Sequence, residues 1–412
     1  MAFIKTPVKG MNDFLPSDMR LREYVISVIK ETYSKFGFSQ IETPLVEHIE
    51  NLQSNQGGEN EKLIFKILKR GDKLNIDTAK TDLDLVDSGL RYDLTLPLAR
   101  YFANNAEQLF TPFKALQIGN VFRADRPQKG RFRQFTQCDI DILGDDSMLA
   151  ETELISATST LLLKLGFEGF RVRVNDRRIL KAMASSCNMP EDKLSSVYIS
   201  LDKLDKIGAD GVKAELISGG FEEKDVDAYL AMFLNREDKS CSELCKDLTD
   251  YLDISVAEGI DNLISNVSSS LGNKFKLEFD PTLVRGMGYY TGTIFEVEMV
   301  ELNSSVAGGG RYDEMIGKFG ANPTPACGFS IGFERIITIL KDRGFKVPVD
   351  GESIAFLVDK KAAADTTAKV FEDAAALRAD GARVLIAKRN KNAKRQKELL
   401  EAEGYTDIRD IF

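Results

Sequence analysis

"GNVFRADRPQKGRFRQFTQCDIDILG", residues 119–144, is the stretch of this sequence on which the fold prediction rests. Polar and apolar residues alternate on both sides of a polar centre at 128–130, which predicts two strands joined by a turn. Four arginines lie within one span of eleven residues, 123–133, and Gln137, Asp139 and Asp141 follow them. A chain of net charge -9 therefore gathers cations and then acids along one predicted hairpin.

The second strand of this hairpin is expected to have two chemically different faces, because successive side chains of a strand point in opposite directions. Its even positions become apolar towards residue 142 and suit a core. Its odd positions carry arginines, then Phe135, then Gln137, then two aspartates. We expect an exposed face on which arginines suit phosphates, the ring suits stacking on a base, and the acids suit an ammonium or another cationic group. On charge alone, a solvated hairpin with cross-strand ion pairs explains the same pattern.

Length and composition limit the class of protein. A chain of 412 residues exceeds one ordinary core and predicts two or three domains. With 43% apolar and 29% charged residues it has a soluble globular composition, and its acidic balance argues against a general nucleic-acid binder. "KRNKNAKRQK", residues 388–397, is the exception, with six cations and no acid. The N-terminus lacks the apolar core of a signal peptide and no apolar run is long enough to span a membrane, so we expect no membrane contact. The odd number and scattered positions of the cysteines predict a reducing, cytoplasmic location.

Cysteine and histidine usage narrows the chemistry. Five scattered cysteines argue against a disulfide framework, and the spacing of Cys241 and Cys245 indicates a helix face rather than a metal site. His48 is the one histidine, and the alternating "PLVEHIE" around it predicts a structural strand residue. Serine–histidine or cysteine–histidine catalysis would depend on this one residue, and a histidine-rich metal site is impossible. Any catalysis must therefore use Arg, Lys, Asp, Glu, Tyr or bound ligands.

The order of predicted elements indicates an α+β sheet domain that is interrupted by helices and followed by a small α/β unit. Strand signals fade between about 185 and 265, where the sequence is helical and charged. After the linker "RGFKVPVDGE", strands and helices alternate, which is typical of a parallel α/β unit. The expected parts are 1–185 and 269–342 for the sheet domain, 186–268 for the insertion and 352–412 for the C-terminal unit.

Six stretches, in order between residues 5 and about 340, resemble a known family. "VFRADRPQKGRFRQF" and "GFSIGFERI" resemble motifs 2 and 3 of class II aminoacyl-tRNA synthetases, and "IETPLVE" is similar to their motif 1. "LRYDLTLPLARY", "LVRGMGYYTGTIFEV" and "AGGGRYDEMIG" resemble blocks of the histidyl-tRNA synthetases. The resemblance implies the class II antiparallel sheet of six or seven strands with flanking helices, and a homodimer with Pro44 near its interface. It implies ATP-dependent activation of L-histidine to histidyl-adenylate and transfer to tRNA(His), with ATP and Mg2+ as substrate and no tightly bound protein-ligated metal.

The resemblance also assigns roles to single residues. It implies two catalytic arginines that face the α-phosphate of ATP, Arg123 and Arg285. It implies a histidine pocket formed by Asp93, Thr95, Gln137, Asp141, Arg285, Tyr289 and Tyr290. It implies ATP contacts from Arg123, Asp125, Phe135, which stacks on adenine, and Arg335, which holds the γ-phosphate. Five cations of the basic run are possible tRNA contacts, namely Lys388, Arg389, Lys391, Lys394 and Arg395.

Local sequence leaves simpler roles open for several of these residues. Asp93 suits a helix cap, Arg285 an ion pair and the paired tyrosines half-buried strand positions. The glycines 308–310 are expected to form a tight turn, since the Lys-Ser/Thr of a phosphate-binding loop does not follow them. The basic run suits a solvated surface as well as a tRNA backbone.

Two departures from the family keep other functions open. Gly288 stands where the family has an acid, and the tail supplies three strands and two helices where the family's anticodon-binding domain has five strands. A shortened tail is also expected of a synthetase paralogue that serves as regulatory subunit of ATP phosphoribosyltransferase in histidine biosynthesis. A ligase that joins an amino acid to another acceptor is a third possibility. Arg123, Arg285 and Arg335 favour the synthetase over the regulatory subunit.

Overall fold

The computed structural model describes residues 3–54, 60–127, 132–234, 239–272, 274–285, 290–299, 304–348 and 351–412. The chain divides into two compact units, of which the second consists of residues 13–27 and 339–412. The strands are β1 Ser39–Ile41, β2 Val46–His48, β3 Lys66–Leu68, β4 Val86–Leu90, β5 Phe113–Phe122, β6 Gln134–Leu143, β7 Arg171–Asp176, β8 Lys276–Phe279, β9 Thr293–Met299, β10 Ser304–Arg311, β11 Ala326–Ile331, β12 Ser353–Val358, β13 Arg383–Lys388 and β14 Asp407–Ile411. The helices are α1 Pro16–Lys35, α2 Ile49–Ser54, α3 Thr95–Asn105, α4 Leu149–Lys164, α5 Arg177–Ser186, α6 Leu194–Leu201, α7 Leu204–Ser218, α8 Glu223–Leu234, α9 Cys241–Cys245, α10 Ser255–Leu271, α11 Phe333–Asp342, α12 Ala364–Ala379 and α13 Ala393–Ala402.

A large mixed sheet forms the frame of the first unit. Its strand order is β1-β5-β6-β11-β10-β9-β7-β8. The six strands from β5 to β7 pair antiparallel, whereas the edge strands β1 and β8 pair parallel with their neighbours. The antiparallel sheet expected from the resemblance is confirmed, and each of its edges carries one additional parallel strand.

The two sides of β6 differ as its alternation predicts. The even positions Cys138, Ile140 and Ile142 are at most 1% exposed, and α4 packs against this strand and β11. Each fully buried apolar side chain of this size contributes roughly 1.5–3 kcal/mol to folding. Burial of the even face therefore directs the odd face to the opposite side of the sheet, where the candidate site lies.

Proline divides a stretch that the sequence predicts as one strand. "QIETPLVEHIE" forms β1 in the large sheet and β2, which ends at His48, in a small antiparallel sheet of order β2-β4-β3. Pro44 lies between them and has no N–H to donate to a strand partner. Pro44 therefore lies at the break between the two strands.

Helices α5 to α10 connect β7 with β8, and both cysteines of "CSELC" are buried on α9. The predicted helical character of this region is confirmed.

In the second unit, β12 pairs parallel with β13 and β14, and Ile354, Phe356, Val370 and Ala374 form its core. The predicted parallel α/β unit is therefore confirmed as well. None of the helices in the described ranges is both long and apolar enough to cross a membrane.

Candidate active site

One row of paired residues, most of them polar, crosses the large sheet on the side of the odd face of β6. Cross-strand partners share a face of a sheet, so these side chains lie side by side. From β7 to β5 the row consists of Arg173, Glu296, Gly308, Ser330, Asp139 and Gln117. The core side of the sheet is apolar, and this row makes the other side a polar surface.

Two cavities that share several lining residues lie on this polar surface. The larger has a volume of about 530 Å³ and is lined by Arg123, Asp125, Phe135, Arg285 and Arg335, among others. The smaller has a volume of about 170 Å³ and is lined by the acidic half of β6 and by the residues that precede and begin α3. Arg123, Gln137, Tyr290, Gly308, Ser330 and Tyr92 line both cavities. A molecule with one anionic and one cationic end could therefore lie across the two.

Aromatic rings hold Arg123 at the cationic end. Its guanidinium carbon lies 4.3 Å from the centre of the Tyr92 ring and 5.1 Å from that of Phe135. Its Nε donates a hydrogen bond of 3.1 Å to the Tyr92 carbonyl. Its two terminal nitrogens have no hydrogen-bond partner in the described part of the chain. Two aligned N–H groups are therefore available for an oxyanion such as phosphate.

The acidic end of β6 is buried, and the expectation of an exposed face is wrong there. Asp139 and Asp141 are 3% and 2% exposed. Tyr312 and the residues that begin α3 line the same cavity, and the Tyr312 hydroxyl donates a hydrogen bond of 2.5 Å to Asp141 Oδ1. Residues distant in the sequence thus cover this end of the strand.

Burial changes the ionisation of both aspartates. Loss of solvent raises the pKa of Asp141 from 3.8 to about 7, although the Tyr312 hydrogen bond opposes the rise and the Asp93 charge adds to it. Loss of solvent and then the charge of Asp141 raise the pKa of Asp139 well above its usual range, against a hydrogen bond from Ser330. A ligand with a positive charge would favour the ionised forms of both.

Three buried acceptor atoms at this end have no hydrogen-bond partner in the described residues: Gln137 Oε1, Asp139 Oδ1 and Asp141 Oδ2. The amide nitrogen of Gln137 already donates to Ser330 Oγ, at 3.0 Å. Burying an acceptor without a donor is costly, so native structures rarely leave such atoms unpaired. Three of them beside one small cavity indicate a ligand with several N–H groups.

Comparison with known proteins identifies the family. Residues 10–336 match the histidyl-tRNA synthetase family model. The chain belongs to the histidyl-tRNA synthetase family. A histidine–tRNA ligase of Leifsonia xyli subsp. xyli is 43% identical over 417 residues, which cover 98% of this chain and 95% of the relative. A histidine–tRNA ligase of Bacteroides fragilis is 36% identical over 398 residues, which cover 90% of this chain and 87% of the relative.

Solved structures agree with this assignment to the histidyl-tRNA synthetase family. The histidyl-tRNA synthetase of Nostoc sp. PCC 7120 superposes with a TM-score of 0.80 at 26% identity, covering 98% of this chain and 90% of the other. A Bacillus halodurans protein, described as an ATP phosphoribosyltransferase regulatory subunit/histidyl-tRNA synthetase, gives a TM-score of 0.78 at 20% identity, covering 100% of this chain and 99% of the other. At that identity the likeness shows the fold alone. The resemblance found in the sequence motifs is confirmed, as is the class II fold.

The structure brings together ten of the residues that the family resemblance selects, which line one or both cavities: Asp93, Thr95, Arg123, Asp125, Phe135, Gln137, Asp141, Arg285, Tyr290 and Arg335. Tyr289 and Gly288 lie outside the described residues. Asp93 combines two of its suggested roles, since its Oδ1 accepts a hydrogen bond of 3.1 Å from the Leu96 amide near the start of α3 while it borders the smaller cavity.

Glycines 308–310 lie within β10, so the expected tight turn is wrong. A Cβ atom at Gly308 would lie 2.5 Å from the guanidinium carbon of Arg285, and one at Gly328 of β11 would overlap the Asp141 carboxylate. Strand glycines often mark a close approach of another group to the backbone. Here they leave room for the Arg285 guanidinium and the Asp141 carboxylate against the sheet.

The family resemblance gave no role to several polar residues of the site. Asp139 is the clearest case, because the alternation along β6 already placed it between Gln137 and Asp141 on the face expected to bind a cationic group. Tyr92, Ser330 and Glu334 lie within the quoted motifs, but the resemblance gave them no role, and Ser305 lies outside every quoted motif; all four line the cavities. Glu334 Oε1 also accepts a hydrogen bond of 3.2 Å from the Thr136 amide.

The basic run belongs to the second unit, at the end of β13 and on α13. Arg389 and Lys397 both pair with Asp410, at 2.9 and 2.6 Å. These contacts, first among them the Lys397 hydrogen bond, lower the pKa of the Asp410 carboxyl. The remaining cations are exposed and form no ion pair with described residues: Lys388, Lys391, Lys394 and Arg395. They are available to an external polyanion.

Proposed function

We propose that this chain is a histidine–tRNA ligase, which activates L-histidine with ATP and transfers the histidyl group to tRNA(His), releasing AMP and pyrophosphate. The observation that carries this proposal concerns two adjoining cavities: among the described residues, the terminal nitrogens of Arg123 and three buried acceptor atoms that line them have no hydrogen-bond partner. Relatives named histidine–tRNA ligase that cover nearly the whole chain support it. The regulatory-subunit alternative has less support, because the arginines that the chemistry requires line the cavity.

Adenylate formation requires stabilisation of charge rather than a protein nucleophile. The histidine carboxylate attacks the α-phosphorus of ATP, a P–O bond forms, and the bond to pyrophosphate breaks. Negative charge is redistributed over the phosphoryl oxygens, and fixed guanidinium groups can stabilise it without proton transfer. We assign this role to Arg123 and Arg285, and we assign the γ-phosphate to Arg335.

Recognition of histidine belongs to the acidic end. Its α-ammonium group suits Asp93 and Thr95, and its ring N–H groups suit Gln137, Asp141 and Tyr290. The buried carboxylate and amide oxygens of the pocket need hydrogen-bond donors from the ligand. An amino acid whose side chain has no N–H or O–H group would leave these oxygens unpaired and would therefore bind poorly. Phe135 would stack on adenine, and Asp125 would contact ATP from the same cavity.

The second half of the reaction needs a tRNA site. The terminal ribose hydroxyl of tRNA attacks the carbonyl carbon of the adenylate, and AMP leaves. We propose that the exposed cations of the basic run contact the tRNA backbone, together with Arg389.

Mg2+ would accompany ATP and be held mostly by the phosphates of ATP. A homodimer with Pro44 near its interface and a cytoplasmic location complete the proposal, and its functional parts are 1–185, 186–268, 269–342 and 352–412.

Amino-acid-dependent exchange between ATP and pyrophosphate tests the proposal, with all twenty amino acids and then with charging of tRNA. We expect exchange with histidine alone, followed by charging. Exchange without charging would instead indicate a ligase with another acceptor. Histidine binding without exchange would return the regulatory subunit as the better hypothesis.

A matched pair of variants ties the exchange to the site. Arg123→Ala should slow it by about two orders of magnitude or more, since an aimed donor to a charging oxyanion typically contributes that much. Arg126→Ala removes an exposed arginine three residues away that lines neither cavity, and should leave the rate unchanged. Equal rates for the two variants would remove Arg123 from the mechanism.

A further inference from the structure

Arg285 is held on one edge of its guanidinium group. It lies over Gly308, and its Nη1 donates to Glu296 and, at 3.1 Å, to Ser305 Oγ. Its Nη2 and Nε have no hydrogen-bond partner among the described residues. The same guanidinium lines the larger cavity. One edge is therefore fixed to the protein while the other remains available to a ligand.

Glu296 is held in turn from its other oxygen. Its Oε1 lies 3.5 Å from Arg173 Nη1, and Arg173 Nε donates to Asp280 Oδ2 at 2.6 Å. The side chains of Glu296, Arg173 and Asp280 are 15%, 10% and 5% exposed. Three adjacent strands, β7, β9 and β10, supply the frame, because Arg173 pairs with Glu296 and Glu296 with Gly308 across the sheet. A buried chain of ionic contacts thus ends on Arg285.

The backbone that carries Arg285 is tied to the same strand. Asn175, two residues along β7 from Arg173, is fully buried, and its Nδ2 donates to the carbonyls of Pro281 and Leu283 at 3.1 and 3.0 Å. Arg173 Nη2 adds a hydrogen bond of 3.2 Å to Thr282. Both the segment that leads to Arg285 and the end of its side chain therefore take their positions from β7.

We propose that Glu296, held by Arg173, is a positioning residue for adenylate formation: it fixes Arg285 with its free edge directed into the larger cavity. This inference rests on the proposed function. A donor that is already oriented needs no reorganisation when charge develops, and misplacing a reacting or stabilising group by about 1 Å can cost roughly 100-fold in rate. Long arginine side chains lose such orientation readily unless neighbouring groups hold them.

The chain offers a matched control on the same two strands. Glu298 lies two residues beyond Glu296 on β9, on the same face, and pairs with Arg171 of β7 as Glu296 pairs with Arg173. Arg171 Nη2 donates to Glu298 Oε2 at 2.5 Å. Glu298 lines neither cavity and forms no hydrogen bond or ion pair with Arg285. Glu298→Gln therefore removes an equivalent charge and ion pair without affecting the arginine.

The experiment compares histidine-dependent ATP–pyrophosphate exchange for wild type, Glu296→Gln, Glu298→Gln, Arg285→Ala and the double variant Arg285→Ala/Glu296→Gln. We expect Glu296→Gln to lower kcat by about 10- to 100-fold, with KM for ATP and histidine changed by less than about threefold. Glu298→Gln should remain within about twofold of wild type. The double variant should be no slower than Arg285→Ala alone, because Glu296 acts through that arginine.

Each contrary result has a different meaning. A wild-type protein without histidine-dependent exchange would overturn the proposed function and this inference with it. An active wild type in which Glu296→Gln equals Glu298→Gln would overturn the inference alone. So would a faster Glu296→Gln, or a double variant in which the two losses multiply. If Glu296→Gln also lowers the unfolding midpoint more than Glu298→Gln does, the test uses Ser305→Ala, which removes the second hydrogen bond of Arg285 Nη1. This variant must then lower kcat without raising KM, or the inference is overturned.

Discussion

Replacing Asp141 with Asn should make the protein more stable in alkaline solution while removing much of its affinity for histidine. Asparagine keeps the size of the side chain and an oxygen that can accept the Tyr312 hydrogen bond, but it cannot ionise. The native carboxylate is buried beside two other acids, Asp93 and Asp139. The substitution therefore removes a charge that folding without a ligand must bury.

The magnitude follows from the pKa of Asp141, which burial raises from 3.8 to about 7. Above 3.8 the unfolded chain loses this proton, whereas the native protein keeps it until about pH 7. The native state thus binds more protons in this window, so the free energy of unfolding falls as pH rises through it. Each pKa unit corresponds to about 1.4 kcal/mol, so the full penalty above pH 7 is about 4 kcal/mol and is absent near pH 4. The Asp141→Asn variant would be spared this penalty, and the pKa of Asp139 would be raised less without its charged neighbour.

Denaturant unfolding of wild type and Asp141→Asn between pH 4 and 9 measures this difference. The two free energies of unfolding should agree near pH 4 and separate steadily as pH rises towards 7. Asp87→Asn is the control, because Asp87 is exposed on β4 and forms no hydrogen bond or ion pair with described residues. Its curve should show no such separation. Histidine-dependent exchange should fall in the Asp141 variant at every pH.

A separation that does not change between pH 4 and 9 would refute the argument, because it would mean that Asp141 ionises alike in the native and unfolded chain. A variant less stable than wild type at pH 8 would refute it more strongly. In that case an unseen donor would be stabilising the carboxylate, and the three unpartnered acceptors would no longer indicate a ligand site.

Three further predictions concern other parts of the molecule. Gly308→Ala should displace Arg285 and lower the exchange rate by about 100-fold, whereas Gly317→Ala, where an added Cβ meets nothing within 4 Å, should not. Phe135→Ala should raise KM for ATP by about tenfold through lost stacking, and Phe135→Tyr should restore it, as initial exchange rates at varied ATP would show. Reversing the charge of Lys394 and Arg395 should weaken tRNA binding, more at low than at high salt, in a binding titration over ionic strength; indifference to salt would support a solvated surface.

Sequence patterns predicted those parts of the fold that depend on local periodicity. The alternation along β6 placed Cys138, Ile140 and Ile142 in the core because a period of two is a property of the strand itself. Alternating strand and helix signals after residue 352 predicted the parallel sheet of the second unit for the same reason. Division of the motif 1 stretch into β1 and β2 was foreseeable only in part, since Pro44 marks the break but not the sheet that each half joins.

Burial and contact at the site could not be predicted in this way. Tyr312 lies 171 residues from Asp141, and Ser330 lies 193 residues from Gln137, so no local pattern indicates that they meet. Glycines 308–310 lie in a strand and not in a turn, because what matters there is the missing side chain, which leaves room for the Arg285 guanidinium over Gly308. Glu296 lies within the family block "LVRGMGYYTGTIFEV", but the block gives it no role, and only the pairing of β7, β9 and β10 brings it between Arg173 and Arg285.

The order of charges across the site is a consequence of strand register. Neighbouring strands are about 4.8 Å apart, so Gly308 of β10, over which Arg285 lies, is roughly 10 Å from Asp139, with Ser330 of β11 between them. At that separation the cation and the acid do not neutralise each other by direct contact, and a ligand with a carboxylate at one end and N–H groups at the other can lie between them. A slip of one residue in β6 would carry Asp139 to the apolar side and Ile140 into the cavity. Burial of the even face of β6 therefore does more than stabilise the sheet, because the same register that buries Ile140 fixes where the negative charge of the site must lie.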